Sequence, residues 1–263
     1  MTVFELTAPN CGVFVAEICL RKGSAVLTEK REFYIVCGHY GCGKSNFSLN
    51  LAIDRAKRGR KVTLVDLDLV NPYFLSSGYK EKLESMGITV IAPMFANTNV
   101  ETPGFPVNLN MVFETEDDVI MDVGGDDAGS VVLGRFHKQL AETDYEMLYL
   151  VNRYRNLTAT PEETLEIMKE IESASRCKVS AIVNNSHLKY DTTWEIVEKS
   201  LSYAKEISEC CNLPLWATTI PTYLYKDDRV RGLADAYPDA KWYPIEIYVR
   251  APWESGIPDL DKI

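Results

Sequence analysis

The chain has 263 residues, of which 46% are hydrophobic and 25% charged, and this composition is typical of a globular protein with a full core. Its formal net charge of -10 argues against broad binding to nucleic acids or anionic membranes, so we expect neither partner. No apolar run reaches the roughly 18 residues that a membrane span needs, and Glu17 interrupts the apolar stretch near the N-terminus, unlike a signal peptide. We therefore expect a cytoplasmic protein with reduced cysteines.

The first 31 residues alternate weakly between apolar and polar side chains around the turn-like segment 21–24. This pattern predicts a β-hairpin or an added edge element. We expect residues 1–31 to form a short N-terminal β extension and residues 32–263 to form a single domain.

A phosphate-binding pattern follows the first strongly apolar strand, residues 33–37. Residues 38–45 match G-x-x-x-x-G-K-S/T, in which glycines let successive N–H groups turn towards a phosphate. In such loops the lysine reaches the β- and γ-phosphates and the hydroxyl ligates Mg²⁺. The helical pattern that follows ends at Gly59 and supports this interpretation against a chance match. Candidate nucleotide-binding residues here are Gly38, His39, Tyr40, Gly41, Cys42, Gly43, Lys44, Ser45 and Asn46.

Two carboxylates, Asp66 and Asp68, follow the second predicted strand, residues 62–65. Open α/β sheets bind ligands at the carboxyl ends of their strands, and alternation points both carboxylates the same way. One could approach Mg²⁺ through water while the other orients an attacking water. Alternatively, either aspartate caps the next helix.

A third carboxylate, Asp122, ends another apolar strand and is followed closely by Gly125. We expect Asp122 to belong to the magnesium shell and the Gly125 N–H to follow the γ-phosphate. Asp126 and Asp127 could be solvated or could belong to a substrate site. The aperiodic stretch 92–108, before this strand, is a candidate substrate or partner loop.

Strand and helix patterns alternate along the rest of the chain, with a capping box at residues 160–163. We predict helices at 75–86, 129–141, after Thr160 and around Trp194–Ala204, and strands at 88–91, 147–151, 178–183, 213–220 and 243–249. This alternation predicts an α/β fold: a doubly wound, mostly parallel sheet of about seven strands with helices on both faces.

These motifs together resemble the MinD/ParA-like (CobQ/CobB/MinD/ParA nucleotide-binding) branch of the P-loop NTPases. The resemblance runs from Phe33 to Pro221 and rests on the phosphate loop, Asp66-Leu67-Asp68, Ile120–Gly125 and Val183-Asn184. It implies ATP and Mg²⁺ as cofactors, Lys44 and Asp68 as catalytic residues, and Ser45, Asp66 and Asp122 as the metal site. It further implies that Asn184 reads the adenine edge and that ATP brings two copies together as a homodimer.

Several departures from the family narrow this expectation. His39 stands where the family usually has a lysine that reaches the partner subunit's nucleotide, and a neutral imidazole supplies less charge on a shorter stem. The C-x-x-C of iron–sulfur carriers is absent. The adjacent Cys210 and Cys211 are better explained by burial of one thiol, although vicinal thiols can also bind a soft metal. The C-terminal segment 251–263 is not a basic amphipathic helix, so a membrane tether is not expected.

Three functions are consistent with the sequence. The first is a Mg²⁺-dependent ATPase that acts as a nucleotide switch on a protein partner, in a setting such as metalloenzyme maturation. The second is an ATP-dependent synthetase or kinase, similar to dethiobiotin synthetase, with an acceptor bound by residues 94–110 and Asp126-Asp127. The third is a nucleotide-binding module with little hydrolysis, because His39 alters the family's contact between subunits.

Overall fold

The computed structural model describes residues 30–68, 77–93, 109–125, 127–225, 232, 235–237 and 240–249. Contacts within the chain separate residues 1–30 from a second unit, Arg31–Ile263, to which all of the following refers. The predicted N-terminal hairpin, most of the aperiodic loop, Asp126 and the C-terminal segment 251–263 lie outside the described residues.

Eight strands form one sheet in the described part of the chain, and every neighbouring pair is parallel. The strands are β1 Phe33–Cys37, β2 Val62–Asp66, β3 Ile88–Ile91, β4 Asp118–Asp122, β5 Glu146–Val151, β6 Ala181–Asn184, β7 Leu215–Pro221 and β8 Trp242–Ile245. Their order is β3-β2-β4-β1-β5-β6-β7-β8. The predicted parallel sheet is confirmed, and the last predicted strand makes its eighth member.

The order of the strands reverses at β1, which lies between β4 and β5. The chain runs outwards from β1 to β2 and β3 on one side, and through β5 to β8 on the other. A crevice opens at the carboxyl ends of the strands at such a reversal, and ligands of open α/β sheets bind there. The loop after β1 is the phosphate-binding pattern, so the topology places that pattern at the switch point.

Helices cover both faces of the sheet, as predicted. They are α1 Lys44–Lys57, α2 Ser77–Ser85, α3 Asp127–Gly134, α4 His137–Ala141, α5 Pro161–Ser175, α6 Trp194–Cys211 and α7 Thr222–Tyr225, with 3₁₀ turns at Leu109–Phe113 and Lys189–Asp191. Side chains of α1 and α2 pack with one set of alternating strand residues, and side chains of α3 to α6 pack with the other set. None of the described helices combines the length and apolar character that crossing a membrane requires.

Two clusters of buried apolar side chains, one on each face of the sheet, show on which face each strand residue lies. Ile120 and Val183 pack in the core that contains α1, whereas Met121 and Ile182 pack in the core on the other side of the sheet. Because side chains alternate along a strand, a polar residue two positions after Ile120 or Val183 shares the face of α1. This alternation decides which residues at the strand ends point towards the phosphate loop.

The helix predicted over residues 129–141 is wrong as a single element, because it divides into α3 and α4. Arg135 and Phe136 donate their N–H groups to carbonyls three residues earlier, which tightens and ends α3. A Cβ on Gly134 would lie 2.7 Å from the Ala174 carbonyl oxygen, so the end of α3 passes close to the backbone of α5. The Phe136 ring packs 5.8 Å from that of Phe113 and so redirects the chain.

Two predicted helix ends are confirmed. Thr160 and Glu163 form the reciprocal capping box at the start of α5, with Pro161 at the first helical position. Gly59, with φ of 80°, follows the end of α1 in the left-handed region that glycine adopts without steric cost.

Asn46 and Asn50, two buried asparagines of α1, hold the segment that follows β8. The Asn46 Oδ1 accepts the N–H groups of Tyr248 at 2.8 Å and Val249 at 3.1 Å, and its Nδ2 donates to the Glu246 oxygen at 2.9 Å. The Asn50 Oδ1 accepts the Glu246 N–H at 2.8 Å, and the Asn50 Nδ2 donates to the Glu246 carbonyl oxygen at 2.9 Å. The segment that follows the last strand of the described sheet is thereby fastened to helix α1, which begins directly after the phosphate loop.

We expect the substitution Asn46→Ala to destabilise the protein by about 2–3 kcal/mol, because buried backbone groups of residues 246–249 lose their partners. Urea unfolding in the absence of nucleotide measures the free energy of unfolding. The matched control is Asn110→Ala, which removes an exposed carboxamide with one 3.3 Å bond to Gln139. Equal stability of the two variants would contradict a structural role for Asn46.

Candidate functional site

The phosphate loop, residues 38–45, passes so close to neighbouring strands that two of its glycines cannot carry a side chain. Gly38 has φ of 147°, and a Cβ on it would lie 2.5 Å from the Leu150 carbonyl oxygen on β5. Gly43 has φ of 93°, and its Cβ would lie 2.5 Å from the Asn185 Nδ2. The pattern of glycines seen in the sequence is therefore required by both backbone angle and space.

Lys44 and Ser45 begin α1 directly after the loop. Lys44 is only 7% exposed, and its Nζ donates to the His39 carbonyl oxygen at 3.1 Å across the loop. Ser45 is half-buried, and its hydroxyl bonds to the Asp122 carboxylate. The positive end of the helix dipole and the lysine ammonium thus face the same concave stretch of backbone, an arrangement that suits phosphate.

Asp122 lies at the centre of the polar side chains around the loop. It is 2% exposed, and its Oδ1 accepts a bond from Ser48 at 3.1 Å. Burial raises its pKa to about 6, against the opposing effects of the Ser45 bond and the Lys44 charge. It shares the face of α1 because it follows Ile120 by two positions. The structure therefore brings Asp122, Lys44 and Ser45 together.

Asp66 and Asp68 lie beside Asp122 at the end of β2. Asp66 pairs with Asp122 in the register of β2 and β4 and is 1% exposed. Its Oδ1 accepts the Asp68 N–H at 2.9 Å, a local turn that orients the following backbone. Asp68 contributes to the raised pKa of Asp122, after burial, and it lies against Gly124. All three predicted carboxylates are therefore in one place.

Gly125 lies directly against the phosphate loop. A Cβ on Gly125 would lie 2.6 Å from the Lys44 Nζ and 2.7 Å from the Tyr40 Cα. No larger residue fits there without a shift of the loop backbone. The chain after β4 thus contacts both the loop and its lysine, as expected for a segment that follows the γ-phosphate.

The donor set around Ser45 fits a magnesium ion. A hydroxyl and buried carboxylates are hard oxygen ligands, which Mg²⁺ prefers, and the ion usually takes few protein ligands beside phosphates and water. Among the described residues, no group of three or more His, Cys, Asp or Glu side chains is arranged to hold a metal ion. Ser45 would be a direct ligand, with Asp122 and Asp66 around it.

Asn184 is held inside the protein by other bonds. It is completely buried, and its Nδ2 lies 2.9 Å from the Ser200 Oγ on α6 and 3.4 Å from the Thr218 Oγ1 on β7. Its Oδ1 accepts the Ser186 N–H. Asn184 shares the face of Ile182, opposite to α1. The structure does not bring its carboxamide to the phosphate loop, and its role in base recognition stays an untested prediction.

Asn185, which the motif analysis did not single out, contacts the phosphate loop instead. Its Nδ2 donates to the Cys42 carbonyl oxygen at 2.7 Å, and its Oδ1 accepts from the Thr219 Oγ1 at 2.6 Å. It points to the face of α1 because it follows Val183 by two positions. The alternation of side chains along β6 could have predicted Asn185 as the residue that faces the phosphate loop, provided that the neighbours of the strand were known.

The remaining predicted residues divide between the loop and the core. The Cys42 side chain is buried, and burial raises the pKa of its thiol, which makes it unreactive. Tyr40 is 66% exposed at the tip of the loop. Partial burial, aided by Lys44, lowers the pKa of His39, so its imidazole is neutral at pH 7. Asn46 uses its carboxamide on the segment after β8 and not at the loop.

A cleft of about 350 Å³ adjoins the phosphate loop. It is lined by His39, Tyr40, Gly41, Tyr154, Arg155 and Asn156. The Arg155 guanidinium lies beside Gly41: a Cβ built on Gly41 would be 3.6 Å from its Nε and 3.7 Å from its Cζ. Sequence patterns did not indicate Arg155, because the loop after β5 carries no motif.

Comparison with known proteins gives one related sequence and a set of similar folds, whereas no protein-family model matches the chain. The chain is 25% identical over 181 residues to the iron-sulfur cluster carrier protein of Clostridium perfringens (strain 13 / Type A). That alignment covers 67% of this chain and 59% of the relative, so the chain spans about three fifths of the relative's length.

Among solved structures, cell division protein FtsY from Thermotoga maritima superposes with a TM-score of 0.51 at 18% identity, covering 73% of this chain and 62% of that one. The signal recognition particle 54 kDa protein from Aeropyrum pernix K1, in complex with GDP, gives a TM-score of 0.48 at 12% identity, covering 72% of this chain and 41% of that one. The likeness to FtsY concerns the fold. Together with the phosphate loop at the switch strand, it supports the conclusion that this chain has the α/β fold of the P-loop NTPases.

Proposed function

We propose that the protein is a Mg²⁺-dependent ATPase of the MinD/ParA-like branch that acts, in the cytoplasm, as a nucleotide switch on a protein partner. The observation that carries the proposal is the convergence of Lys44, Ser45, Asp122 and Gly125 around one glycine loop. Each of these groups would have a role in binding a triphosphate, and the stability of the fold alone does not account for their arrangement.

The roles follow from chemistry and position. The N–H groups of residues 41–45 and the Lys44 ammonium bind the β- and γ-phosphates. Mg²⁺, held by Ser45 and supported by Asp122 and Asp66, would neutralise charge on the phosphate oxygens. Asp68, fixed through its N–H by Asp66, orients the attacking water. The buried Ser48 and Ser45 hydroxyls keep the Asp122 carboxylate in place.

The residue types in the segment that follows β6 favour ATP over GTP as the nucleotide. Guanine presents two neighbouring N–H donors on its pairing edge, which a carboxylate accepts best, whereas adenine presents one donor and one acceptor. Asn185 brings this segment against the phosphate loop, and residues 184–188 carry two carboxamides, a hydroxyl and an imidazole. The first carboxylate after the strand is Asp191. The Asn184 and Asn185 carboxamides already have partners within the protein, so the preference for ATP rests on the lack of a carboxylate in residues 184–190 that could accept both guanine donors.

The contacts of Gly125 give a route by which the nucleotide state reaches the surface. A phosphate that moves Lys44 or Tyr40 must also move Gly125, and α3 begins two residues later. The end of α3 in turn lies against the backbone of α5. A change at the loop is thus transmitted to two helices on the face opposite to α1, where a partner could detect it.

The relative named as an iron-sulfur cluster carrier suggests metalloenzyme maturation as the setting. Cys37, Cys42 and Cys177 are buried, and the sequence has no C-x-x-C. The chain accordingly suits the nucleotide-driven part of such a process better than the holding of a cluster. An ATP-dependent homodimer, which the family resemblance implies, forms part of this proposal.

We expect Lys44→Ala to lower the affinity for Mg-ATP by about 10- to 100-fold, because a charge-assisted bond to the phosphates is lost. Isothermal titration calorimetry measures this. Lys57→Ala, an exposed lysine at the other end of α1, is the matched control and should bind like the wild type. Unchanged affinity in Lys44→Ala would remove this site from the proposal.

We expect Asp68→Asn to lower kcat for ATP hydrolysis by about 100-fold or more, with a small effect on the Kd for Mg-ATP, since an amide cannot orient the attacking water as a carboxylate does. Phosphate release under single-turnover conditions separates the two effects. Asp54→Asn removes a partly buried carboxylate that pairs with the exposed Arg58, and it serves as the control. A kcat equal to that of the wild type would exclude Asp68 as the water-positioning residue.

The switch itself is tested with Asp68→Asn, which we expect to hold ATP without turnover. Hydrogen exchange of residues 123–134 should be slower with Mg-ATP than with Mg-ADP, because Gly125 is held by the γ-phosphate in only one of the two states. Light scattering on the same samples tests for a mass of roughly twice 29.7 kDa with ATP. Identical exchange in both states would contradict the switch and favour a synthetase or kinase, which is recognised by transfer of phosphate to a metabolite.

A further inference from the structure

Arg155 is placed at the phosphate loop by a firmly held segment, residues 152–158. Buried Asn152 donates from Nδ2 to the His187 oxygen at 3.2 Å and accepts the Tyr154 N–H at 3.0 Å. Its carbonyl accepts from the Arg155 N–H at 3.1 Å and from the Thr158 Oγ1 at 2.8 Å. These bonds fix the backbone on both sides of Arg155 and so place the root of its side chain beside the phosphate loop.

The neighbouring Arg153 shows the contrast between a structural arginine and Arg155. Arg153 donates to the Lys199 carbonyl oxygen, and its guanidinium stacks on the rings of Tyr154 and Tyr203. Arg155 is exposed and lies along Gly41 at the edge of the 350 Å³ cleft. Within the described part of the chain, it has no carboxylate at ion-pair distance.

The positive charge of Arg155 acts on side chains in and beside the phosphate loop. Burial is the largest cause of the lowered pKa of His187, and the positive charge of Arg155 is the second largest. Burial raises the pKa of Cys42, and the same charge acts against that rise. Among the described residues that line the cleft, Arg155 is the permanent cation, since His39 is neutral at pH 7. A guanidinium offers five N–H donors in a plane and matches the oxygens of a phosphate.

We propose that Arg155 donates hydrogen bonds, from the same chain, to the oxygens of the terminal phosphate as the nucleotide is hydrolysed. This rests on the proposed function. In that step the water oxygen forms a bond to the γ-phosphorus, and the bond between the γ-phosphorus and the bridging oxygen breaks. The leaving ADP keeps the electron pair, the proton lost by the attacking water passes to the phosphate product and solvent, and Arg155 stabilises the transferred charge without exchanging a proton. Hydrolysis then needs no cation from a second subunit.

The test compares Arg155→Ala and Arg155→Lys with the wild type. We expect Arg155→Ala to lower kcat by about 100- to 1000-fold, with the Kd for Mg-ATP within about threefold. Arg155→Lys should recover only part of this loss, because an ammonium lacks the planar pair of donors. Guanidinium chloride at sub-denaturing concentration should partly restore turnover in Arg155→Ala. Arg135→Ala, an exposed arginine at the end of α3, should hydrolyse ATP like the wild type.

Mixing the variants decides whether the arginine acts within its own chain. Lys44→Ala retains Arg155 but binds nucleotide poorly, whereas Arg155→Ala binds nucleotide without the arginine. Recovery of turnover in the mixture would show action between subunits and overturn the proposal, and we expect none. Wild-type turnover retained by Arg155→Ala would overturn this proposal alone. Absence of hydrolysis in the wild type would overturn both this proposal and the ATPase function.

Discussion

The close approach of the phosphate loop to the neighbouring strands is the constraint on which the rest of the site depends. The loop passes so near the Leu150 carbonyl and the Asn185 carboxamide that only glycine fits at positions 38 and 43. The Asn185 carboxamide also bonds the Cys42 carbonyl oxygen and so holds the loop against the segment that follows β6. The start of α1, and with it the position of Lys44 and Ser45, is set by the same contacts.

Helix α1 divides its polar residues between ligand binding and the fold. Lys44 and Ser45 face the loop and Asp122, whereas Asn46 and Asn50 satisfy the backbone of the segment after β8. Ser48 supports the Asp122 carboxylate from the next turn. Burial of so many polar groups is tolerated because each has a partner. The helix therefore links the edge of the sheet to the phosphate site in one rigid element.

Two asparagines join the loops at the carboxyl ends of the strands into one unit. Asn152 connects the loop after β5 to the loop after β6, and Asn185 connects the loop after β6 to both the phosphate loop and Thr219 on β7. A carboxamide suits this task because it donates and accepts at the same time. Loops tied together in this way fix the backbone that carries charged groups such as Arg155.

Local patterns in the sequence determined the parallel sheet, the phosphate loop, the capping box of α5 and the three aspartates at the strand ends. Each of these depends on residues close together in the chain, where spacing and alternation carry the information. Only the tertiary structure decided the break between α3 and α4, the choice of Asn185 over Asn184 at the loop, the use of Asn46 on residues 246–249, and the position of Arg155. The reason is physical: these outcomes depend on which face of which neighbouring strand or helix lies opposite, and residues as far apart as Gly41 and Arg155 meet only when the whole sheet is assembled.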